Sequence, residues 1–515
     1  MEEEKNTKVS NRVKKNITIH HWLLALAPII SLYNHNKDVT EFHYVLRPLI
    51  TTLIMTAIFF LFINIFIQNY RKSAIISSLW VVSFFLFAYF AKLFTWVNPW
   101  LDYNLLALVI FFIFLVGISA IIASTKKSLD EITKLLNIFA VTVLLIPTIS
   151  AGIYYFNNRS NINTDNQSAK NIVTKTDAPD IYYIILDGYG RNDVLKNLYN
   201  YDNSSFTKSL ADHNFYIAEQ SHSNYPQTFL SLGSSFNMDY LDNLSVNFDP
   251  QSQDRMAIRK VIENNKVYNF LKSQGYTTVT WTGSYQMVKA DLKINYPLDS
   301  SEFEDLIRDT TPIGLFIDPY HKLNLYKKKF LYLFDHLKDI SQIPEPTFSY
   351  IHILSPHPPF IFDANGNIDK NNDCVAGKDG SHYYELCPGI DKYKKNYIQQ
   401  LIFLNKKVEE AIGQILSNSP QDPIIIIQSD HGPGSNLDWN SLENTNIQER
   451  FPILNAYHVP AAMKDELYPK ISPVNTFRLI FNTVFDTKFE LLADKSYFAI
   501  WNYPYQFTDV TSQLK

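Results

Sequence analysis

Five apolar runs stand before residue 156, and nothing else in the chain narrows its possible folds as much. They are His21 to Tyr33, Pro48 to Ile67, Ala74 to Ala91, Leu105 to Ala123 and Leu135 to Tyr154. A helix crossing a hydrocarbon core of roughly 30 Å needs about 20 apolar residues. The last four runs are that long; the first reaches it only if extended back through Ile17. Runs two to four are nearly all Ile, Leu, Phe, Val and Ala, without the polar stripe of a surface helix. Buried helices of a water-soluble protein are the competing explanation, and so few internal charges over five runs argue against it. Residues 1–155 are therefore expected to form a membrane domain of about five transmembrane helices.

Basic residues beside the runs give an orientation. Lys5, Lys8, Arg12, Lys14 and Lys15 precede the first, Arg71 and Lys72 separate the second from the third, and Lys126, Lys127 and Lys134 lie between the last two. The opposite loops hold only Lys37, Arg47 and Lys92. The positive-inside rule puts the N-terminus in the cytoplasm and delivers residue 156 to the other side. Trp96, Trp100 and Tyr103 suit an outer interfacial belt. The opening MEEEKNTKVS has no cleavable-signal pattern, so the spans are expected to remain as an anchor.

Asn157 to Pro179 is rich in Asn, Ser, Thr and Lys and reads as a linker, placed at 156–179. Residues 180–515 then alternate strand and helix signals. Strands are expected over Asp180–Leu186, Gly275–Thr282, Thr347–Leu354 and Pro423–Gln428, and helices over Val267–Ser273 and Tyr393–Leu416. Continuous apolar strands between helices predict an α/β domain, its mostly parallel sheet covered by helices on both faces. Ligands in such folds sit at the carboxyl ends of strands. The formal charge of −4, from 46 Lys and Arg against 50 Asp and Glu, gives no basic face for a nucleic acid.

The only two cysteines, Cys374 and Cys387, fall in one Pro/Gly/Asp-rich segment. Their even number, close spacing and outer location favour a disulfide; two free thiols are the alternative. Asp187 closes one expected strand and Asp430-His431 another. Carboxylates at two strand ends, joined by an imidazole, make a divalent-metal constellation, although Asp-Gly after a strand is also a common turn. Thr228, in Tyr225-Pro-Gln-Thr-Phe-Leu, precedes a helical run, where the positive end of the helix favours an anion. An N-cap role for Thr228 is the simpler explanation.

Taken together, Asp187 in LDGYG, Thr228 in YPQTFLSLGSSFN, His357 in SPHPPF and Asp430-His431 in SDHG resemble the sulfatase-like branch of the alkaline phosphatase superfamily. The anchor followed by an outer domain resembles its membrane-anchored type, the lipid A phosphoethanolamine transferases and lipoteichoic acid synthases. The resemblance implies that Asp187, Thr228, Asp430 and His431 hold zinc or manganese, that Thr228 is the nucleophile, and that His357 contacts the transferred group or the leaving oxygen. Additional His motifs for a complete second metal site are not evident, which supports one tight metal. Thr228 has no C/S-x-P-x-R context, which disfavours formylglycine sulfate-ester chemistry. His458, Trp281 and Arg191 are candidates for a substrate groove, and His352 for a core or supporting histidine.

The function this implies is transfer of a phosphoethanolamine- or phosphoglycerol-type group from a membrane phospholipid to a surface glycan or lipid. The place is a bacterial cytoplasmic (inner) membrane, with the catalytic domain periplasmic or extracellular. The alternative is a phosphodiesterase or sulfuric-ester hydrolase acting on surface polymers.

Overall fold

The computed structural model describes residues 17–37, 40, 42–97, 104–159, 178–244, 248–281, 288–294, 296, 301–316, 319–344, 346–369 and 375–515. Most of the linker, the N-terminal tail, Trp100, Tyr103 and Cys374 lie outside them. The chain divides into two compact units, one of residues 1–166 with 300–318 and one of 167–299 with 319–515.

The first unit contains α1 (His20–His35), α2 (His43–Ile67), α3 (Tyr70–Val97), α4 (Asn104–Ser124) and α5 (Asp130–Arg159). Among the described residues, α2 to α5 are each long and apolar enough to cross a membrane. The 16-residue α1 is not; it packs against α5, α3 and α2. Its first turn is tied to α5, where the Asn137 side chain accepts from the Ile19 and His20 amides and donates to the Ile17 carbonyl. This is a membrane protein.

The second unit is built on a seven-stranded sheet. Its strands are β1 (Ile181–Leu186), β2 (Tyr216–Ile217), β3 (Thr277–Trp281), β4 (Leu292–Ile294), β5 (Thr347–Ile353), β6 (Ile424–Gln428) and β7 (Asn455–His458), in the spatial order β2-β7-β6-β1-β5-β3-β4. Pairing is parallel from β6 through β4 and antiparallel at β7 and β2. The continuous apolar strands have a direct cause. Tyr182, Ile184, Ile351 and Ile425 enter one core, while Ile181, Tyr183, Tyr350 and Ile424 enter another on the opposite face. The helix Ile390–Asn418 supplies Tyr397, Leu401 and Leu404 to the first. The helices Thr228–Asn237 and Pro473–Phe485 supply Leu230, Phe236 and Phe477 to the second. With both faces covered, β1 and β6 show no polar alternation.

Register then positions the chemistry. Central β1 aligns Ile185 with His352 on β5 and with Gln428 on β6. Asp187 and Ser429-Asp430 therefore leave neighbouring strands at the same end of the sheet.

Candidate active site

Asp187, Thr228, Asp430 and His431 converge. The His431 Nε2 lies 3.2 Å from Thr228 Oγ1, 3.2 Å from Asp430 Oδ2 and 3.5 Å from Asp187 Oδ1. Its Nδ1 is 3.0 Å from the Gly432 carbonyl. Donation there directs the Nε2 lone pair at the cluster, the arrangement of a metal-binding imidazole. Asp187 Oδ1 and Asp430 Oδ2 are buried without a hydrogen-bond donor. Two such oxygens are costly as bare anions and fit a divalent cation. A second, overlapping group consists of Asp187, His352 and Asp430, whose ligand atoms lie within 4.8 Å of one another.

Local structure holds each group in place. Gly188 turns the chain after Asp187 with φ +75°, a left-handed conformation suited to glycine, and its amide donates to Asp430 Oδ1 at 3.2 Å. His352 projects from β5 with Nε2 3.2 Å from Asp187 Oδ2. Thr228 is the first residue of its helix. Gln227 occupies the N-cap position, so Thr228 does not serve as the cap. Its hydroxyl stands where helix-terminal N–H groups and the helix dipole favour negative charge.

His357 lies between two cis prolyl bonds, Ser355-Pro356 and Pro358-Pro359. Its Nδ1 is 2.6 Å from the Pro358 carbonyl, its Nε2 is 3.9 Å from Asp379 Oδ2, and its ring centre is 6.2 Å from that of His431. Burial disfavours charge on this imidazole, but the carboxylates of Asp187 and Asp379 outweigh it and raise its pKa. For His431 burial and then Arg450 dominate, and the pKa falls. Burial opposes the Asp187 carboxylate, yet the surrounding His357, His352 and His431 hold its pKa below the usual range.

Two residues absent from the sequence-based candidates complete the surroundings. Arg450 is fully buried. Its Nη1 donates to Asp379 Oδ2 at 2.7 Å and to the Gly432 carbonyl at 3.0 Å, while Nε and Nη2 donate to the Pro226 carbonyl at 2.9 and 2.8 Å. One guanidinium thus ties the loop before Thr228 to the loop after His431. Asp379 also accepts from the Tyr393 hydroxyl at 2.6 Å. Burial opposes its charge, and Arg450 followed by His357 keeps its pKa low. The one sequence signal at Arg450 is a charge pair, Glu449-Arg450, set directly before the apolar Phe451-Pro-Ile-Leu454.

Three candidates go elsewhere. His458 pairs with Ile425 at the start of β6, the far end of the sheet, and its ring binds Asp422 and the His213 carbonyl. Arg191 is committed to Asp193 and the Ser221 carbonyl. Trp281 ends β3 and packs against Tyr332 in the core. Cys387 is buried and disulfide-bonded, while Cys374, the other cysteine of this sequence, lies outside the described residues.

The family model described as Sulfatase matches residues 179–464, more than half of the chain. The chain belongs to the sulfatase family. Similar solved structures include phosphoethanolamine transferase EptC from Campylobacter jejuni, whose C-terminal periplasmic domain is 12% identical (61% of this chain and 92% of that one, TM-score 0.40). The integral membrane lipooligosaccharide phosphoethanolamine transferase A from Neisseria meningitidis is 12% identical (91% and 95%, TM-score 0.39). A phosphonate monoester hydrolase of Agrobacterium radiobacter is also 12% identical (62% and 80%, TM-score 0.37). No curated protein matches this sulfatase-family chain. His352 and the four clustered residues all fall inside the matched span.

Proposed function

We propose that the protein transfers a phospho group from a membrane phospholipid to a surface glycan or lipid, with Thr228 as the covalent nucleophile. The observation that carries this reading is the Thr228 hydroxyl, at a helix N-terminus, 3.2 Å from a histidine that also faces two donor-less carboxylate oxygens. Zinc or manganese would be held by Asp187, Asp430, His431 and Thr228, with His352 supporting Asp187. When bound, such an ion lowers the pKa of a coordinated hydroxyl and neutralises charge on phosphoryl oxygens.

The chain's own groups do the rest. In the first half-reaction Thr228 Oγ1 releases its proton to solvent and forms a bond to phosphorus as the bond to the diacylglycerol oxygen breaks. His357 Nε2 delivers a proton to that departing oxygen. In the second half, His357 Nε2 takes a proton from the acceptor hydroxyl, which attacks phosphorus. The Thr228–phosphorus bond breaks and the threonine oxygen takes back a proton from solvent, while His357 keeps the acceptor's proton for the next turnover. Arg450 holds the two loops in register throughout. In the same proposal the sheet unit lies on the outer side of a bacterial cytoplasmic membrane; the basic residues beside the apolar runs support that side when α1 crosses together with α2 to α5.

The test is diacylglycerol release from labelled phospholipids by the detergent-purified chain supplied with zinc or manganese. Thr228→Ala should lower turnover about 1,000-fold or more while leaving the far-ultraviolet circular dichroism unchanged. Full turnover in the mutant overturns the covalent route. A free phospho head group with no modified acceptor identifies the hydrolase alternative.

A further inference from the structure

Residues 301–316 lie within the segment 300–318, which interrupts the sheet unit in sequence and clusters with the membrane helices. They form a nine-residue helix, Glu302–Thr310, and a following single turn, Pro312–Phe316. Ser301 and Glu304 close a reciprocal capping box at its start. Phe303 is buried with Ile29, Tyr33 and Val45, and Leu315 packs on Phe87, Ala91 and Ala107. Glu304 pairs with Arg47 through both carboxylate oxygens.

These partners share one feature. Ile29 and Tyr33 belong to the last two turns of α1, Val45 and Arg47 to the first two of α2, and Ala107 to the first of α4. Phe303 thus meets the end of α1 and the start of α2, and Leu315 meets the second half of α3 and the start of α4, so these contacts mark the end of the helix set where α1 passes to α2 and α3 to α4. At 1.5 Å per residue, Ala107 is about 5 Å inside the start of α4, the depth at which headgroups meet acyl chains.

We propose that this segment is a lipid-contacting interfacial element, its partner the acyl-chain boundary of a phospholipid leaflet. Leu306, Ile313 and Phe316 are 38%, 42% and 74% exposed, although they adjoin side chains docked on the spans. The lipid-facing belt of α2 continues to the same end through Leu46 and Ile50, both exposed. The segment also carries Glu302, Glu304, Asp305 and Asp309 against Arg308 alone. Attraction to anionic headgroups therefore cannot hold it there, and apolar insertion is the mode of contact. The inference rests on the first unit being embedded in a bilayer and not on the chemistry of Thr228.

The experiment uses the full chain in phosphatidylcholine nanodiscs, spin-labelled at single introduced cysteines: Phe316→Cys, Leu306→Cys, Ile58→Cys on the middle of α2, and Leu491→Cys on the sheet unit. Ile58 and Leu491 are exposed references. The ratio of oxygen to aqueous nickel-chelate relaxation should be at least about threefold higher at 316 and 306 than at 491, and lower than at 58. A high ratio at 58 with 316 and 306 equal to 491 overturns the inference. A ratio at 58 equal to that at 491 overturns the membrane reading on which it stands. Retention of chain mass and nanodisc co-elution identifies variants that have folded, so Leu306→Cys decides if Phe316→Cys does not.

Discussion

In α2 to α5 large apolar side chains point away from the protein: Ile58, Phe66 and Leu105 are 64%, 72% and 69% exposed. In the sheet unit the same residue types are sealed between helices, and the residues set apart are polar ones, Asp187, Asp430 and His431, buried at strand ends. The two regions put the same large apolar side chains to opposite arrangements because they answer to different solvents. Lipid rewards an apolar surface with no gain from burying it, whereas water makes burial of Ile and Tyr the main stabilising term. The water-facing unit uses its core to hold buried carboxylates at a defined position.

That contrast can be broken at several points. Asp430→Ala should lower zinc or manganese affinity more than about 100-fold, since supporting partners alone are worth about 10–100-fold; metal content after dialysis measures it. Arg450→Met leaves Asp379 buried without its cation and should cost about 3–5 kcal/mol in denaturant unfolding of the sheet unit. Phe477→Ala opens a cavity under the sheet and should cost a similar ~3–5 kcal/mol. Ile58→Ala on the lipid face should cost only about 0–1 kcal/mol in the same full-length protein. Equal costs at 477 and 58 would remove the distinction between the two regions.

The smallest expected effect is a pH dependence. Burial pushes the Glu304 carboxyl up, but Arg47 and the Ser301 amide outweigh it and set its folded pKa below 4.5. A depressed folded pKa contributes stability that is complete above 4.5 and is lost as pH falls through the folded value. A spin label at 306 should therefore gain mobility on acidification below pH 4.5, and Arg47→Met should remove that step.

Much of this was readable in advance, and the reasons are particular. β1 and β6 are uninterrupted apolar runs stopped by Asp-Gly and by Ser-Asp-His-Gly, so strand ends and acidic residues could be located together. The helix start at Thr228 was legible because a Pro-containing turn precedes a helical run, whereas its role as nucleophile was implied by the resemblance alone. His458 was misleading: it also ends a strand, but β7 is antiparallel to β6, so that end lies away from Asp430. Asp379 and Arg450 have no periodic signature, because an ion pair between residues 71 positions apart leaves no local pattern. The 301–316 segment drew no expectation from sequence, because Ile29, Tyr33, Val45 and Ala107, on which it packs, are more than 200 residues away.

That last separation bears on how the protein can be taken apart. A fragment begun after the linker would retain Phe303 and Leu315 while discarding α1 to α4, which shelter them. Such a fragment would expose the faces of Phe303 and Leu315 that the helices now cover. Replacing residues 301–316 with a short polar connector would remove that patch from a fragment carrying the sheet unit.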